Sequence, residues 1–405
     1  MVKCLNHLLN TSDIPHLPTD HPLQQGFKMN ATSSNIDHLY KMLSIPSPTG
    51  GEQELQRYLH DWAKPFADRI EVDLIGNLAV VVNPEARLRV MLAAHCDRIG
   101  FMIMDITEQG YLKVEALGGI DEATVLGARV LIRGKKGDVP GIFGKVSTHL
   151  QTQNQKAQVA LIDVVWIDIG AKDKKEAQEL VSAGDYAIYE PRVTELKGSR
   201  IAAPALDNVI GVYAVMQVAK NCAERGIDVA LYCLGTVQEE IGSRGAIAAA
   251  EGIKPDIAIA VDTTLAIDTP GKTKNITDPA LKLDGGPSIL RGPNGHPVIT
   301  RLLIDIAQRH NIPYQLKPDA KVASNDAKPL QLAAGGTAAG SIGIPLRNMH
   351  TQVEVASMVD IEATITLLTE FMCSLKEDQD LLPINYDING EPLPKLVEKP
   401  GFRQR

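Results

Sequence analysis

A chain of 405 residues with 44% hydrophobic content holds material for a sizeable core, and its length suits two domains better than one. The formal net charge of −8, with no dense basic cluster, argues against nucleic acid or an anionic membrane surface as a general partner. The five cysteines, Cys4, Cys96, Cys222, Cys233 and Cys373, are odd in number and scattered without a CxxC pair, which suggests neither a disulfide framework nor a thiolate zinc site and leads us to expect a reducing, cytoplasmic setting.

Residues 1–30 are rich in His, Pro, Asn and Thr and lack periodicity, which predicts a flexible N-terminal arm. Ser33 or Ser34 can cap a helix with Ile36, Leu39, Tyr40 and Leu43 on one face. The run Pro46 to Gly51 breaks it before a second helix from Glu52. Val72 to Val82 alternates around Gly76-Asn77 and reads as a strand pair, and Leu88 to Ala94 is a continuous apolar strand ending at His95-Cys96-Asp97. No uncharged apolar run reaches the roughly 18–20 residues of a membrane helix, and the N-terminus lacks a signal-peptide core.

From about Ile103 to Arg200 the texture changes to short strands punctuated by turns: Tyr111 to Leu117, Ala128 to Arg133, Gly141 to Val146 and Val159 to Ile169. One helix, Lys174 to Ser182, interrupts them. This is the pattern of a β-rich domain over 104–200 inserted into an α/β domain over 31–103 and 201–376. The larger pattern resumes with a helix from Asp207 through Lys220, a strand from Asp228 to Thr236, a helix from Ser243 to Glu251, and a strand from Asp256 to Ala260. There follow a helix from Pro297 to His310, a short strand at Tyr314 to Leu316, a helical stretch around Leu330 to Ala334, a strand from Ala338 to Ile344, and a last helix from Val359 to Leu375. Residues 377–405 form a Pro-rich, charged tail.

The pair Glu239-Glu240 follows the apolar strand Asp228 to Thr236. If the backbone stays extended there, the two carboxylates point opposite ways, so one can bind a metal ion while the other faces the reacting water. Five possible ligands, His95, Asp207, Glu240, Asp262 and His350, lie at or just beyond predicted strand ends or at the start of the following helix. In open α/β sheets the carboxyl ends of the strands line the crevice where ligands bind. Two imidazoles and three carboxylates suit two divalent ions about 3.5–4 Å apart, zinc or cobalt rather than magnesium or calcium.

Each residue also has a plainer role open to it. A single histidine is more often structural than a ligand, Asp207 is placed to cap a helix, and Asp262 could start a turn. Asp97 is placed to accept the second N–H of His95 and fix its tautomer. The stretches Asp284-Gly285-Gly286-Pro287 and Gly335-Gly336-Thr337 lack the context of a phosphate loop, and no GxSxG elbow appears.

The segments Ala94 to Phe101, Ala205-Leu206-Asp207-Asn208, Gln238 to Gly245, Val261-Asp262-Thr263 and Pro345 to Thr351 occur in the order of the tetrahedral (TET) aminopeptidases, metallopeptidase family forty-two, which the chain resembles. The resemblance extends from about Ile36 to Leu375. It implies a central mixed sheet flanked by helices, as in zinc exopeptidases, with a PDZ-like dimerisation domain inserted. It implies two divalent ions per subunit, one held by His95 and Asp262, the other by Glu240 and His350, with Asp207 bridging. It implies that Asp97 orients His95 and that Glu239 is the general base for a metal-bridging water. Short peptides would be the substrates, and subunits would pair and assemble into a dodecamer.

Two motif positions depart from the family: Arg98 stands where an acid is usual, and Val209 where an arginine is usual. Arg98 is therefore expected to favour peptides with an acidic first residue. Other readings are a deacylase of small N-acylated compounds on the same metal site, or a catalytically silent subunit of the shell. A glycosidase is disfavoured, because its two carboxyl groups must flank one bond at about 5–9.5 Å.

Overall fold

The computed structural model describes residues 33–156, 159, 161–271, 280–321 and 325–384. The arm expected over 1–30 and most of the tail expected over 377–405 lie outside the described residues. Helices α1 (Ser33–Ser44) and α2 (Gln53–Ala63) open the chain on either side of the Pro46–Gly51 break. Strands β1 (Arg69–Val72), β2 (Leu78–Val82) and β3 (Arg89–His95) follow.

Six short strands come next: β4 (Gly100–Ile106), β5 (Leu112–Leu117), β6 (Arg129–Gly134), β7 (Gly137–Gly144), β8 (Trp166–Asp168) and β9 (Tyr186–Tyr189). They close into a barrel in the order β4-β5-β8-β7-β6-β9, with α3 (Gln153–Lys156) and α4 (Lys174–Leu180) in its connections. Its interior is filled by Phe101, which packs on Phe143 at 4.7 Å between ring centroids and edge-on against Tyr189 at 5.5 Å, with Val130, Ile132 and Ile167 around them. The strand expected from Val159 to Ile169 is shorter: Ile162–Val164 forms a 3-10 turn, and pairing is confined to Trp166–Asp168.

After the barrel run β10 (Thr194–Leu196), β11 (Arg200–Ala203), α5 (Leu206–Arg225), β12 (Ala230–Thr236), α6 (Arg244–Ile253), β13 (Ile257–Leu265) and β14 (Ser288–Arg291). Then come α7 (Pro297–Arg309), β15 (Gln315–Pro318), α8 (Ala327–Leu332), β16 (Ala338–Arg347), β17 (Glu354–Ser357) and α9 (Met358–Ser374). With β1–β3 they build one mixed sheet of order β1-β2-β12-β3-β13-β16-β17-β11-β10, from which β14 and β15 branch at β16. The four central strands β12, β3, β13 and β16 are parallel, so their carboxyl ends share one sheet edge.

Alternate residues of those strands enter different cores. In β3, Val90, Leu92 and Ala94 face the layer that includes α1, α2, α5, α7 and α9, while Met91 and Ala93 face α6 and α8. The second layer is alanine-rich on both sides of the contact, with Ala93, Ala230, Ala258 and Ala260 against Ala246, Ala249 and Ala250, which lets α6 lie close to the sheet. Because both faces are covered, the central strands read as unbroken apolar runs rather than alternating ones. Strand β13 continues past the expected end at Ala260, since Asp262 to Thr264 keep their register with Gly343 to Pro345 of β16. Asp262 therefore lies within a strand, not after one. Among the described residues no helix is long and apolar enough to cross a membrane.

Candidate metal centre

The shared edge of β12, β3, β13 and β16 carries most of the acids and imidazoles. His95 ends β3, Asp262 lies near the end of β13, Glu239 and Glu240 follow β12, and His350 follows β16; Asp207 arrives from the first turn of α5. All six line one cleft of about 750 Å3. The structure thus brings the five expected ligands and Glu239 together, and it buries Asp97 completely beside them.

Sharp backbone turns aim these side chains. Ala205, Gln238, Ser243, Asn348 and His350 all have positive φ, between 53° and 64°. Side chains with a Cβ seldom adopt that region, and its use on each flank of the cleft marks a place where the surrounding structure dictates the turn. Gln238, with a φ of 56°, breaks the extended path just before the Glu239-Glu240 pair, and both glutamates line the cleft. Asp207 is not a helix cap, since its carboxylate oxygens face His95 and His350 rather than a helix N–H; it and Asn208 depart from helical geometry at the start of α5, where their peptide bond is cis. Asn208 fixes that turn by donating Nδ2 to Val261 O at 2.9 Å and accepting from Gly211 N at 3.1 Å.

Asp207 sends one oxygen to each imidazole. Its Oδ1 is 3.4 Å from His95 Nε2 and its Oδ2 is 3.4 Å from His350 Nε2. His95 Nε2 also lies 3.5 Å from Asp262 Oδ1, and His350 Nε2 lies 3.7 Å from Glu240 Oε1. These spacings exceed the roughly 2.7–3.2 Å of a good N–H···O bond. They match donors shared by one tetrahedral ion, because two ligands about 2.0–2.1 Å from its centre stand about 3.3–3.4 Å apart. Two groups of donors result, His95-Asp207-Asp262 and Asp207-Glu240-His350, with Asp207 in both. Its buried Oδ1 has no hydrogen-bond partner among the described residues, as expected of an atom placed to hold an ion.

Two buried carboxylates hold the donors in place. Asp97 accepts from Thr49 Oγ1 at 2.9 Å and from the backbone N–H groups of Glu239 and Glu240 at 3.0 and 3.2 Å. His95 Nδ1 lies 3.1 Å from the Asp97 carbonyl oxygen and 3.4 Å from its carboxylate, so Asp97 serves the glutamate turn at least as directly as the imidazole. Glu354, which sequence reasoning missed, accepts from Asp207 N at 3.0 Å and from His350 N at 2.8 Å. Its one signal in the sequence is an acid between Val353 and Val355, four residues past His350.

Arg98 does not face the cleft, which corrects the expectation that it reads an acidic side chain. Its guanidinium is buried, donating to Ser47 Oγ, Leu43 O and Ile45 O at 3.0, 3.3 and 2.8 Å, where the C-terminal end of α1 favours a cation. Val209, the other departure, packs in the apolar core. The barrel also reaches the site. Gly118 and Gly119, after β5, press so close to Glu240 and His350 that a side chain at either would crowd them.

Without ions, the donors shift one another's protonation. Burial works against the His95 imidazolium, yet Asp207, Asp262 and Asp97 hold it well above the usual histidine range. Asp207 pushes His350 up to about 9. Burial raises Glu239 to about 8 and Glu240 to about 7, the latter with Asp207 adding to the effect. Asp207 goes the other way: burial would raise it, but the imidazoles of His350 and His95 pull it far below the ordinary carboxylate value.

A group whose pKa is raised by folding keeps a proton that the unfolded chain releases, so stability falls as pH rises through its window. That window runs from 4.5 to about 7 and about 8 for Glu240 and Glu239, and from 6.5 to about 9 for His350. The metal-stripped chain is expected to lose Tm between pH 6.5 and 9, and added divalent ions, which replace those protons, to restore it. Calorimetric melts check this; a stripped chain whose Tm rises across that range contradicts it.

Known proteins place this arrangement. Residues 76–367 match the family described as M42 glutamyl aminopeptidase. A lysyl aminopeptidase of Pyrococcus furiosus is 33% identical over 340 residues, 83% of this chain and 96% of that protein. A TET aminopeptidase from a marine-sediment thaumarchaeote superposes with a TM-score of 0.81 at 27% identity, over 85% of this chain and 97% of that one. The TET1 peptidase of Pyrococcus horikoshii, which can assemble into a tetrahedron or a large octahedral shell, superposes with a TM-score of 0.76 at 28% identity, over 84% and 100%. The chain belongs to the M42 glutamyl aminopeptidase family and is a peptidase.

Proposed function

We propose that this peptidase removes the first residue from short peptides using two divalent ions, zinc or cobalt, held as His95-Asp207-Asp262 and Asp207-Glu240-His350. The observation that carries this reading is the single carboxylate of Asp207 shared by two donor groups. When bound, such ions lower the pKa of water and polarise the scissile carbonyl. Glu239 lines the cleft yet belongs to neither donor group, which leaves its carboxylate free to take a proton from the attacking water and deliver it to the departing amine. Asp97 holds the backbone of Glu239 and Glu240 and steadies His95, so its role is positioning.

In this proposal residues 31–103 and 201–376 form the catalytic domain, and 104–200 a PDZ-like domain through which subunits pair and build a dodecamer. The shell-forming Pyrococcus horikoshii peptidase supports that assembly. The described cysteines, Cys96, Cys222, Cys233 and Cys373, are free thiols, which supports a cytoplasmic location. A deacylase on the same donors would not need a free α-amine, so an acetylated peptide separates the two activities.

The cations that face the cleft are Lys317 and Lys328, neither of which has an ion-pair partner among the described residues. They, rather than Arg98, support a preference for acidic peptides. The family description names glutamyl and the Pyrococcus furiosus relative lysyl substrates, so preference varies among relatives.

Glu239→Ala is expected to keep two ions per chain by elemental analysis while kcat on an unblocked dipeptide falls at least about a thousandfold; near-normal turnover would refute the assigned base. Replacing Lys317 and Lys328 together by Ala should lower the glutamyl-to-leucyl ratio of kcat/KM about tenfold or more. An unchanged ratio removes the lysines from selectivity.

A further inference from the structure

The turn that carries Glu239 and Glu240 is held from outside along its whole backbone. Four successive N–H groups donate to side-chain oxygens: Val237 N to Asn77 Oδ1 at 3.0 Å, Gln238 N to Glu52 Oε1 at 3.2 Å, and Glu239 N and Glu240 N to the two oxygens of Asp97 at 3.0 and 3.2 Å. The carbonyl groups of Val237, Gln238 and Glu239 accept in turn from the N–H groups of Gly245, Arg244 and Ser243 at the start of α6, at 2.9, 3.2 and 2.9 Å. Glu52, which supplies one of these anchors, belongs to neither donor group.

Glu52 is the residue before α2 and is 3% exposed. An acid at that position ordinarily accepts from the first N–H groups of its own helix. Its side chain makes no such bond. One oxygen, Oε1, instead accepts from Gly50 N at 2.8 Å and from Gln238 N at 3.2 Å, so a single atom ties the loop before α2 to the turn after β12. Gln238 has a φ of 56°, a conformation that a residue with a Cβ holds only where its surroundings fix it. The N–H of Glu240 goes to Asp97, so that donor keeps its own anchor, whereas the N–H of the residue that leads into Glu239 goes to Glu52.

We infer that Glu52 is a positioning residue for the peptidase reaction: its Oε1 holds Gln238 in the left-handed conformation that brings the Glu239 carboxylate into the cleft. This rests on Glu239 being the general base. Glu52 acts as an accepting oxygen, not as a charge, and no proton or bond of its own takes part in hydrolysis. Misplacing a catalytic group by about 1 Å can cost about a hundredfold in rate, so losing one backbone anchor while its neighbours remain is expected to cost about tenfold.

The test reads kcat, KM, ion content and melting temperature in the full-length, ion-loaded chain. Glu52→Ala is expected to lower kcat about tenfold, with KM within about twofold and both ions retained. Glu52→Gln keeps an oxygen that can accept both N–H groups, and its kcat is expected to stay within about threefold of the wild type. In a Glu239→Ala background, where no carboxylate remains to be aimed, Glu52→Ala should change the remaining rate by less than about twofold. Normal kcat in Glu52→Ala, a loss that follows KM or ion content, a Glu52→Gln chain as slow as Glu52→Ala, or a further loss on top of Glu239→Ala would show a merely structural role and overturn the inference. Should Glu52→Ala not fold, Glu52→Asp takes its place: it keeps the acid but falls one carbon short, and normal kcat in it also overturns the inference. Failure of the proposed function looks different: the wild-type chain would not cleave unblocked peptides, or Glu239→Ala alone would remain active, and the inference would fall with it.

Discussion

Everything at the cleft depends on one carboxylate, Asp207, placed between two imidazoles with an oxygen toward each. Around it are gathered Glu239, Glu240 and Asp262, with Asp97, Asp326 and Glu354 buried behind them. Two like charges 4 Å apart repel by about 4 kcal/mol at an effective dielectric constant of 20, and this site collects several such pairs. Two imidazoles cannot offset so many acids, so the native arrangement calls for further positive charge at the centre. The raised pKa values of Glu239 and Glu240 express the same excess in terms of protons.

The scaffold answers that constraint by fixing backbone rather than side chains. Asp97 gathers three segments, since its carboxylate accepts from Thr49 in the loop before α2 and from Glu239 and Glu240 after β12, while its own backbone continues β3. Glu354 does the same for the other half, linking Asp207 at the start of α5 with His350 after β16. Acidic side chains thus hold the loops from behind through N–H groups, and the Oδ1 of Asp207 in front is left without a hydrogen-bond partner among the described residues that would compete with an ion. Arg98 completes the frame by tying the end of α1 to the segment that follows His95.

Much of this was legible in the sequence, for physical reasons. The central parallel strands are covered on both faces and so appear as apolar runs, which located the strand ends and with them His95, Glu240 and His350. The barrel showed itself through short strands broken by Gly and Pro. What could not be read depends on tertiary contact. Strand β13 runs on through Asp262 only because β16 lies beside it. The positive φ of Gln238, Ser243 and His350 falls on residues that carry no local signal for it. Arg98 looked like a substrate contact because it sits in a motif, yet burial and three carbonyl or hydroxyl partners make it a support. Glu354 gave no periodic or spacing cue, since its importance lies in the backbone groups that reach it across the fold.

The central claim is that Asp207 serves two ions at once. Anomalous diffraction from zinc-loaded crystals of the wild-type chain and of Asp207→Asn tests it most directly. Two peaks per subunit on either side of Asp207, with occupancy lost from both in the variant, are the predicted result. A single peak in the wild type, or two undiminished peaks in Asp207→Asn, would contradict it.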